Sequence, residues 1–572
     1  MEITGAELVV KALKEEGVTT LFAYPGGQAI DLFDALYGEK EIEVILPRHE
    51  QGLIHAADGY ARTTGKPGVC LVTSGPGATN LVTGIATANY DCVPLVCFTG
   101  QVSTKLLGKR AFQEVDMVAI AQSICKCAVR VERREDLASV IRSAFETAVT
   151  GKPGAVVVDL PKDIQQAYGS DEYRSHRKSS AQETIAGKED EQKIKEVCAL
   201  LQKADRPILL AGGGVRIANA EKELTLLAER LGIPVVTTIM GRGCVPTAHK
   251  CYLGNLGIHG SYAANLAVSQ CDFLLAIGTR FNDRITGKTE TFAKEATVIH
   301  IDVDESCISR NVWADLAISA DAGWAIRRLL EETETGSFPA WKAQIRGWQE
   351  EHPLGMIQKG LTPQRIMEGI SAFYNEAVIA ADVGQNQMWA AQYLELDEKR
   401  QMITSGGLGT MGYGLPAAIG AKLGNPEKDV LVIAGDGGIQ MNIQELATAV
   451  VYELPIVVCI LNNGYLGNVR QWQEMFYQRR YSCTCMRYRR SCENRCSDPG
   501  EKCPAYTPDF VRLAQSYGAC GIRVYKDSEI CEALARAKEN TKIPTVIEFI
   551  IEREANVLPI VPPGRELSDM IF

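Results

Sequence analysis

The sequence has no apolar stretch long enough to cross a lipid bilayer, which takes about 20 consecutive apolar residues in a helix. Its first residues lack the basic start and apolar core of a secretory signal and have the spacing of an amphipathic helix. With a net charge of −10, the chain also lacks the positive charge that attracts nucleic acids and anionic membranes. We therefore expect a cytoplasmic protein that binds neither nucleic acid nor membrane.

No short-period repeat is present, and 572 residues correspond to about three domains of ordinary size. Short apolar runs alternate with helical stretches throughout, which predicts an α/β protein of three domains, each with a mainly parallel sheet flanked by helices. We place the domains at residues 1–165, 191–335 and 361–550, with a polar linker after the first. The apolar, proline-containing tail at 551–572 is expected to pack against the rest of the protein.

Two strand-like runs in the third domain end in residues suited to a metal ion. Asp436 lies in a Gly-Asp-Gly turn after the first run, and Asn463 follows the second run about one βαβ unit later. Mg²⁺ prefers hard oxygen ligands and is often shared with substrate phosphates, and a following helix N-terminus binds anionic oxygens. The pattern predicts a clamp for a divalent cation and a diphosphate, with two ordinary strand-end turns as the alternative.

This pair of motifs resembles the signature of thiamine-diphosphate-dependent enzymes. The resemblance implies that Asp436, Asn463 and the backbone carbonyl of Tyr465 hold Mg²⁺. It also implies that Met411, an adaptable apolar side chain, bends the bound thiamine diphosphate. This chain has Asn386 where most members of the family carry histidine. The residues implied to contact this half of the cofactor are Gln385, Asn386, Gly409, Met411, Gly437, Gly438 and Asn442.

In the first domain, Glu50 follows an apolar run at the start of a helical segment. Taken alone, it is an acid that favours the positive end of a helix dipole. The resemblance instead places its carboxyl group against the aminopyrimidine of the cofactor, where a carboxylate shielded from water serves as a proton relay. By the same resemblance, Gly27 and Gln113 are the other catalytic residues. The remaining implied contacts, for which plain strand-to-helix turns are the alternative, are Pro25, Gly75 and Asn80.

Trp472, the middle-domain glycines and the PIVPPG tail resemble the large catalytic subunits of the biosynthetic acetohydroxyacid (acetolactate) synthases. In that family a tryptophan here lines the pocket for the second 2-oxoacid, and this chain has Asn468 where methionine is expected. Arg284 matches an arginine that pairs with the carboxylate of that substrate. The resemblance also implies FAD, although Lys152 stands where an arginine is usual. The implied FAD contacts are Lys152, Gly212, Gly213, Gly214, Gly278, Arg280, Arg284, Asp302 and Asp321.

The implied activity is the decarboxylation of pyruvate on thiamine diphosphate and the condensation of the two-carbon unit with pyruvate or 2-oxobutyrate. The products are 2-acetolactate and 2-aceto-2-hydroxybutyrate, precursors in branched-chain amino-acid biosynthesis, and FAD has a structural role. Because Glu50 and the Mg²⁺ clamp act from facing subunits in this family, we expect a homodimer or homotetramer, with a regulatory small subunit as a further partner. The alternatives are an FAD- and thiamine-dependent pyruvate oxidase and a non-catalytic cofactor-binding subunit.

Five cysteines cluster in an insertion of about 15 residues, judged against the short loops usual at such connections. In a cytosolic chain such spacing favours a metal over a disulfide, and four thiolates suit zinc or an iron–sulfur cluster. A reduced, solvated loop and a redox-sensing segment are the alternatives. The cysteines are Cys483, Cys485, Cys492, Cys496 and Cys503.

Overall fold

The computed structural model describes residues 2–174, 187–355, 360–492 and 503–572. Cys496 and much of the predicted linker lie outside these ranges. Among the described residues, no helix combines the length and the apolar composition that a membrane crossing requires.

Within the described ranges, three six-stranded parallel sheets follow one another along the chain, each with helices packed against it. We call them the N-terminal, middle and C-terminal sheets. A short antiparallel pair, β1 with β8, joins the two ends of the first unit. The predicted α/β fold with three mainly parallel sheets is confirmed.

The bounds of the elements follow in chain order. Those of the first unit are β1 (Glu2–Thr4), α1 (Gly5–Glu15), β2 (Thr20–Tyr24), α2 (Ile30–Leu36), β3 (Glu43–Ile45), α3 (Glu50–Thr64), β4 (Gly68–Val72), α4 (Pro76–Thr79), α5 (Val82–Tyr90), β5 (Leu95–Gln101), α6 (Met117–Ala121), β6 (Cys127–Arg130), α7 (Leu137–Val149), β7 (Ala155–Pro161), α8 (Lys162–Gln166) and β8 (Tyr168–Ser170). Those of the middle unit are α9 (Lys188–Leu201), β9 (Pro207–Ala211), α10 (Gly213–Ile217), α11 (Glu221–Leu231), β10 (Val235–Thr237), β11 (Tyr252–Asn255), α12 (Tyr262–Gln270), β12 (Phe273–Ile277), α13 (Asp283–Thr286), β13 (Thr297–Asp302), β14 (Leu316–Ser319), α14 (Ala322–Glu332) and α15 (Pro339–Glu351). Those of the third unit are α16 (Pro363–Phe373), β15 (Ala377–Ala381), α17 (Gln385–Tyr393), β16 (Gln401–Thr404), α18 (Gly414–Gly424), β17 (Asp429–Gly435), α19 (Leu446–Val451), β18 (Ile456–Asn462), α20 (Gly467–Phe476), α21 (Phe510–Ser516), β19 (Cys520–Val524), α22 (Ile530–Glu539) and β20 (Thr545–Ile550).

The outer two sheets have the same topology. The strand order is β3-β2-β4-β5-β7-β6 in the N-terminal sheet and β16-β15-β17-β18-β20-β19 in the C-terminal sheet, so each chain segment visits equivalent positions in the same sequence. In both sheets the strand order reverses between two neighbouring strands. They are β2 and β4 in the N-terminal sheet, and β15 and β17 in the C-terminal sheet. Ligands of open parallel sheets bind in the crevice at the carboxyl ends of such strands.

The middle sheet has the order β11-β10-β9-β12-β13-β14, which reverses between β9 and β12. This is the order of dinucleotide-binding doubly wound folds. Its strands are apolar throughout because both faces are covered. Ile208 and Leu210 pack into the core on one face of the sheet, and Leu209 and Ala211 pack into the core on the other.

Helices α3 and α18 connect the first and third units through a close backbone contact. A Cβ atom on Gly59 would lie 2.0 Å from the carbonyl oxygen of Ala417, and one on Gly420 would lie 1.7 Å from that of Ala56. Only glycine therefore permits this approach. Beside the contact, the Tyr413 hydroxyl donates to Asp58 at 2.6 Å.

The C-terminal tail packs on the middle unit, as its apolar residues predict. Val561 and Leu567 pack into a core cluster of the middle unit, and the backbone N–H of Val561 donates to the carbonyl of Ile258 at 2.8 Å. Ile560 also pairs with Ile571 in an isolated antiparallel bridge.

The segment after Asp436 differs from the predicted helix. Two 3₁₀ turns, Ile439–Met441 and Ile443–Glu445, precede α19, which begins at Leu446. The break falls at Asn442, whose backbone is non-helical and whose amide donates to the carbonyl of Gly412 at 2.8 Å. A tertiary hydrogen bond therefore overrides the local helical pattern.

The α3–α18 contact predicts that Gly420→Ala lowers the thermal unfolding midpoint, since the added methyl group overpacks the helix crossing at a cost of about 1–3 kcal/mol. Differential scanning fluorimetry measures the midpoint. Gly347→Ala is the control, because Gly347 lies in α15 with open space around its Cβ position. There the substitution favours the helix by roughly 0.5–1 kcal/mol, and an equal response of both variants would contradict the prediction.

Candidate active site

Asp436 lies at the carboxyl end of β17, beside the point where the strand order of the C-terminal sheet reverses. The residue is 1% exposed, and among the described residues its Oδ2 atom has no hydrogen-bond partner. Burial raises the pKa of Asp436 to about 7, although a hydrogen bond from Tyr506 opposes the shift. A buried carboxylate oxygen without a partner is costly unless a cation meets it.

Asn463 reaches the same region from the end of β18. Its amide donates to Gln385 Oε1 at 3.1 Å, and its own oxygen accepts from the backbone N–H of Tyr465 at 3.0 Å. The Gln385 amide in turn donates to Gln471 and to the carbonyl of Ala555, both at 2.9 Å. The predicted Mg²⁺ ligand Asn463 and the predicted diphosphate contact Gln385 therefore belong to one hydrogen-bond network.

Asn386 lies in the first turn of α17, where its amide donates to the carbonyls of Asp382 at 2.6 Å and Ile433 at 3.0 Å. Its oxygen faces the glycines of the turns: a Cβ on Gly435 would lie 3.2 Å from it. The Asn386 amide thus donates both of its hydrogen bonds to backbone carbonyls at the reversal point. These two bonds hold the turn after β15 against the end of β17.

The loop before α18 crosses the same crevice. Met411 reaches Gly437, where an added Cβ would lie 3.8 Å from the Met411 methyl carbon. Gly409 has a φ of +74° and open space at its Cβ position, and Gly438 packs against Asp382, whose Oδ1 would lie 2.7 Å from an added Cβ. Gly409 is therefore required by the backbone conformation, whereas Gly437 and Gly438 leave room for neighbouring side chains.

In the N-terminal sheet, Glu50 begins α3 just beyond the end of β3. Its Oε2 accepts a hydrogen bond from the Asn80 amide at 2.9 Å, and an added Cβ on Gly77 would lie 3.4 Å from its Oε1. Glu50 and Asn80, two of the residues predicted around the pyrimidine, are thus in direct contact.

Gln113 and Gly75 also meet at this edge. An added Cβ on Gly75 would lie 2.9 Å from that of Gln113, and both residues have a φ of +60°. The turn after β2 approaches from the other side of the reversal point: Gly26 packs on Thr73, whereas neighbouring Pro25 is exposed and Gly27 has open space at its Cβ position. The predicted residues of the first unit therefore gather at the carboxyl ends of β2, β3 and β4.

The middle-sheet glycines lie at its own reversal point. An added Cβ on Gly212 would lie 2.1 Å from the carbonyl oxygen of Gly278, and one on Gly214 would lie 2.7 Å from the Gly278 Cα. Gly278 has a φ of +63°. The turns after β9 and β12 therefore pack backbone to backbone, which leaves a crevice edged by peptide groups.

A cavity of about 2660 Å³ opens from this crevice and is bounded by all three units. It exceeds the roughly 300–1,000 Å³ of ordinary ligand pockets and has room for more than one small molecule. Gly212 lies beneath its wall. The predicted site residues that line it are Lys152, Gly213, Gly214, Gly278, Arg280, Arg284, Asp302, Asp321, Gly409 and Trp472.

Lys152 lies on one wall of the cavity and forms an ion pair there. Its Nζ lies 2.8 Å from Asp304 Oδ2. Burial lowers the pKa of Lys152, but the hydrogen bond to Asp304 and the nearby negative charges together outweigh it, so that the pKa is raised. Asp302, beside it, has a pKa raised by burial and accepts from the Asp304 backbone N–H at 2.9 Å. Cys92 also lies on this wall, where burial raises its pKa to about 11.

Two arginines and a tryptophan contribute the remaining predicted contacts. Arg280 stacks over Tyr90 with 5.3 Å to the ring centroid. The Arg284 side chain is 61% exposed, and Trp472 lines the wall from α20. Asp321 caps α14 by accepting from the Trp324 backbone N–H at 2.9 Å, so part of its hydrogen-bonding capacity is used in the fold.

Neither Glu50 nor Asp436 is among the described residues that line this cavity. The structure therefore gathers most residues predicted for flavin and substrate around one cavity, together with Gly409 of the predicted thiamine set, and places Glu50 and Asp436 at the edges of separate sheets.

The cysteine segment lies beside Tyr465. Cys485 forms an isolated bridge with Tyr465, and the backbone N–H of Met486 donates to the carbonyl of Gly464 at 2.9 Å. Cys483 is exposed. In the part of the chain that the structure describes, no three cysteines, histidines or acids group into a metal site. The second-metal prediction gains no support there, and Cys496 lies outside that part.

Two buried acids that organise the site are missing from the sequence prediction. Glu445 accepts from the backbone N–H groups of Arg48 and His49, each at 3.1 Å, and so fixes the start of the helix that carries Glu50. Asp382 accepts from three backbone N–H groups, of Val383, Gly412 and Gly414, and burial raises its pKa to about 6. An acid directly after the apolar run of β15 is the signal that points to Asp382.

Comparison with known proteins identifies the family to which the chain belongs. Residues 3–120 match the model of the N-terminal TPP binding domain of thiamine pyrophosphate enzymes, residues 194–329 match their central domain, and residues 382–549 match their C-terminal TPP binding domain. Each matched range contains one of the three sheets or most of it.

The chain is 43% identical to a probable acetolactate synthase large subunit of Methanocaldococcus jannaschii, over 99% of this chain and 95% of the relative. It is 42% identical to the acetolactate synthase large subunit of Corynebacterium glutamicum, over 100% and 90% of the two chains. It is 41% identical to the acetolactate synthase isozyme 3 large subunit of Escherichia coli, over 99% and 98%. The chain therefore belongs to the acetolactate synthase large-subunit family of thiamine-diphosphate-dependent enzymes.

Proposed function

We propose that this protein is an acetolactate synthase that uses thiamine diphosphate, Mg²⁺ and FAD. The observation that carries the proposal is the shared cavity: Trp472 and Arg284, the residues assigned to the second 2-oxoacid, line it together with Gly409 of the thiamine loop and the flavin crevice. We assign residues 1–165 and 361–550 to the two thiamine-binding domains, 191–335 to the FAD domain and 551–572 to a C-terminal arm.

The proposed reaction joins two 2-oxoacids. One pyruvate loses its carboxylate carbon as CO₂, and the former carbonyl carbon of the remaining two-carbon unit forms one bond to the carbonyl carbon of a second pyruvate, whose oxygen takes up one proton. The product is 2-acetolactate, or 2-aceto-2-hydroxybutyrate when 2-oxobutyrate is the second substrate. Bound thiamine diphosphate supplies the electron sink that makes loss of CO₂ feasible.

The metal ligands fit Mg²⁺. A carboxylate oxygen without a partner on Asp436, the amide oxygen of Asn463 and the carbonyl of Tyr465 are hard oxygen donors of the type that Mg²⁺ selects. The backbone N–H groups of the glycine turn would then face the diphosphate, while Gln385 holds Asn463 in place by a hydrogen bond.

We assign Glu50 the role of holding the proton that activates the aminopyrimidine of bound thiamine diphosphate. Its hydrogen bond from Asn80 holds one carboxylate oxygen, so the other is free to face a ring nitrogen. Arg284, at the exposed rim, is assigned to the carboxylate of the incoming 2-oxoacid, and the Trp472 ring to its alkyl group. A methylene contact of this kind is worth about 1–3 kcal/mol of discrimination.

The middle unit fits an FAD dinucleotide. Its strand order and the glycine contact at its reversal point provide a cradle for backbone contact, and Asp302 provides a carboxylate for a ribose. Lys152 of the first unit lies on the same cavity wall and provides a cation for a pyrophosphate. We assign FAD a structural role. We further propose a homodimer or homotetramer, since Glu50 and Asp436 lie at the edges of separate sheets and would act from facing subunits.

We propose that the protein is cytoplasmic, that it serves branched-chain amino-acid biosynthesis and that it binds a regulatory small subunit.

Purified protein with pyruvate, thiamine diphosphate, Mg²⁺ and FAD tests the function directly. Acetolactate is the expected product. Hydrogen peroxide with acetyl phosphate would indicate a pyruvate oxidase instead, and no turnover with full cofactor binding would indicate a non-catalytic subunit.

Glu50→Gln is expected to lower acetolactate formation by about 10²–10⁴-fold, because the amide keeps the shape but cannot hold the proton. The contact with Asn80 survives if the new amide presents its oxygen. Glu532→Gln is the control, since it changes an exposed acid in the first turn of α22. Steady-state rates with pyruvate decide the matter, and a Glu50→Gln rate within threefold of wild type would refute the assignment.

Asp436→Asn is expected to weaken Mg²⁺ binding at least about tenfold, because even the loss of a group that only orients a metal ligand costs about 10–100-fold in affinity. Without metal at pH 8, the same variant should unfold no earlier than the wild type, because the buried carboxylate has a pKa raised to about 7 and its ionised form is costly. Magnesium titration of the thiamine-loaded protein and thermal unfolding with and without Mg²⁺ measure both effects. A variant with wild-type magnesium affinity would overturn the ligand assignment.

Lys152→Met is expected to weaken FAD binding by roughly 10–100-fold, the range for losing a hydrogen bond to a charged group. Lys152→Arg keeps the positive charge beside Asp304 and is the matched control. Flavin absorbance retained after gel filtration gives the result. Full retention by Lys152→Met would show that the cation is not part of the flavin site.

A further inference from the structure

The cysteine segment contacts both turns that carry the proposed Mg²⁺ ligands. Its first flank, residues 483–492, runs along the turn after β18. Cys485 forms an antiparallel bridge with Tyr465, and the backbone N–H of Leu466 donates to the carbonyl of Thr484 at 2.9 Å. This flank is therefore paired with the stretch of backbone that presents the Tyr465 carbonyl to the metal.

The second flank, residues 503–507, reaches the turn after β17. The Tyr506 hydroxyl donates to the backbone carbonyl of Asp436 at 3.4 Å and accepts from the Gln440 amide at 2.9 Å. Gln440 also donates to the Asp436 carbonyl, at 2.8 Å. The Tyr506 ring packs against that of Phe510, with 5.6 Å between the centroids. Tyr506 therefore holds the turn that presents the Asp436 carboxylate.

Arg487 joins the two flanks. Its Nε donates to the carbonyl of Pro504 at 2.7 Å. Its side chain packs on Gly464, where an added Cβ would lie 3.0 Å from the Arg487 Cδ. Arg489 adds a second link by donating to the carbonyl of Ala505 at 2.9 Å. The turns after β17 and β18 are therefore connected through the cysteine segment.

We propose that the cysteine segment is an outer support of the Mg²⁺ site, in which Tyr506 and Arg487 are positioning residues for the turns of Asp436 and Tyr465. This role rests on the proposed function, because it acts on the metal only through its proposed ligands. Mg²⁺ demands near-ideal octahedral geometry, so its affinity depends on how firmly the ligands are held. Partners that orient metal ligands typically contribute about 10–100-fold to metal affinity or activity.

The support needs neither a second metal nor a disulfide at the cysteines. Its contacts are made by backbone groups, by the Tyr506 hydroxyl and by the Arg487 guanidinium. The insertion is therefore assigned a role in the active site that does not depend on the state of its thiols.

The test is a Mg²⁺ titration of the full chain in saturating thiamine diphosphate, followed by isothermal calorimetry. We expect Tyr506→Phe, which keeps the ring and removes the hydroxyl, to weaken Mg²⁺ binding about tenfold. Arg487→Met should weaken it in the same direction. Arg487→Lys should lose less, because lysine keeps a donor for the Pro504 carbonyl.

Tyr488→Phe and Arg490→Met are the matched controls, since they make the same chemical changes at exposed side chains of the first flank. Both should keep the wild-type Mg²⁺ affinity. Saturating Mg²⁺ should restore the acetolactate rate of Tyr506→Phe, with an unchanged KM for pyruvate. A role in general packing would not produce this rescue by the metal.

Wild-type Mg²⁺ affinity in both Tyr506→Phe and Arg487→Met, or an equal loss in the controls, would overturn the support role. A wild-type chain that binds no Mg²⁺ in the presence of thiamine diphosphate would instead refute the proposed metal site. A wild-type chain that binds Mg²⁺ but forms no acetolactate would refute the proposed function, so the three failures are distinguishable.

Discussion

The backbone contact between α3 and α18 is the constraint on which the site depends. Gly59 and Gly420 allow the helices to approach so closely that an added methyl group would meet a carbonyl oxygen. Charged groups continue the contact towards the cavity: Arg62 pairs with Asp58 at 2.6 Å and with Asp91 at 2.9 Å. Asp91 then accepts from the backbone of the loop that leads to Gly409. At the other end of α3, Glu445 fixes the turn that presents Glu50. One helix pair thus links the turn that presents Glu50 to the loop that carries Gly409.

The edge at which the site lies could be predicted from the sequence because parallel strands place their carboxyl ends together. Asp436 and Asn463 each follow an apolar run, and those runs, β17 and β18, are neighbours in the sheet. The glycines after β9 and β12 meet for the same reason. Glu445 could not be found this way, since its partners Arg48 and His49 lie 397 and 396 residues away in the sequence. Pattern reasoning finds residues that share an edge and misses acids that link units distant along the chain.

The segment after Asp436 shows the limit of local pattern in another form. The sequence predicts a helix after the Asp436 turn, but the Asn442 amide donates to the Gly412 carbonyl, and the backbone at Asn442 leaves the helical region. Asparagine readily trades helical geometry for a side-chain hydrogen bond to the backbone. The position of the Met411 loop therefore decides the conformation of the segment after Asp436. That position depends on the packing of α18 and cannot be predicted from the sequence of the segment alone.

The two buried acids of the C-terminal sheet show how the same side chain takes different roles. Asp382 and Asp436 follow adjacent strands, β15 and β17, and both are almost fully buried. Three backbone N–H groups surround Asp382, so its carboxylate is satisfied by the fold and holds the glycine loop in place. Asp436 keeps an oxygen without a partner, and its pKa is raised further, to about 7 against about 6. Because an uncompensated buried carboxylate destabilises the protein, Asp436 is suited to pair with a cation, in keeping with the Mg²⁺ site that we propose. The difference in hydrogen bonding, more than burial or sequence, separates the acid that supports the turns from the acid proposed to bind a metal.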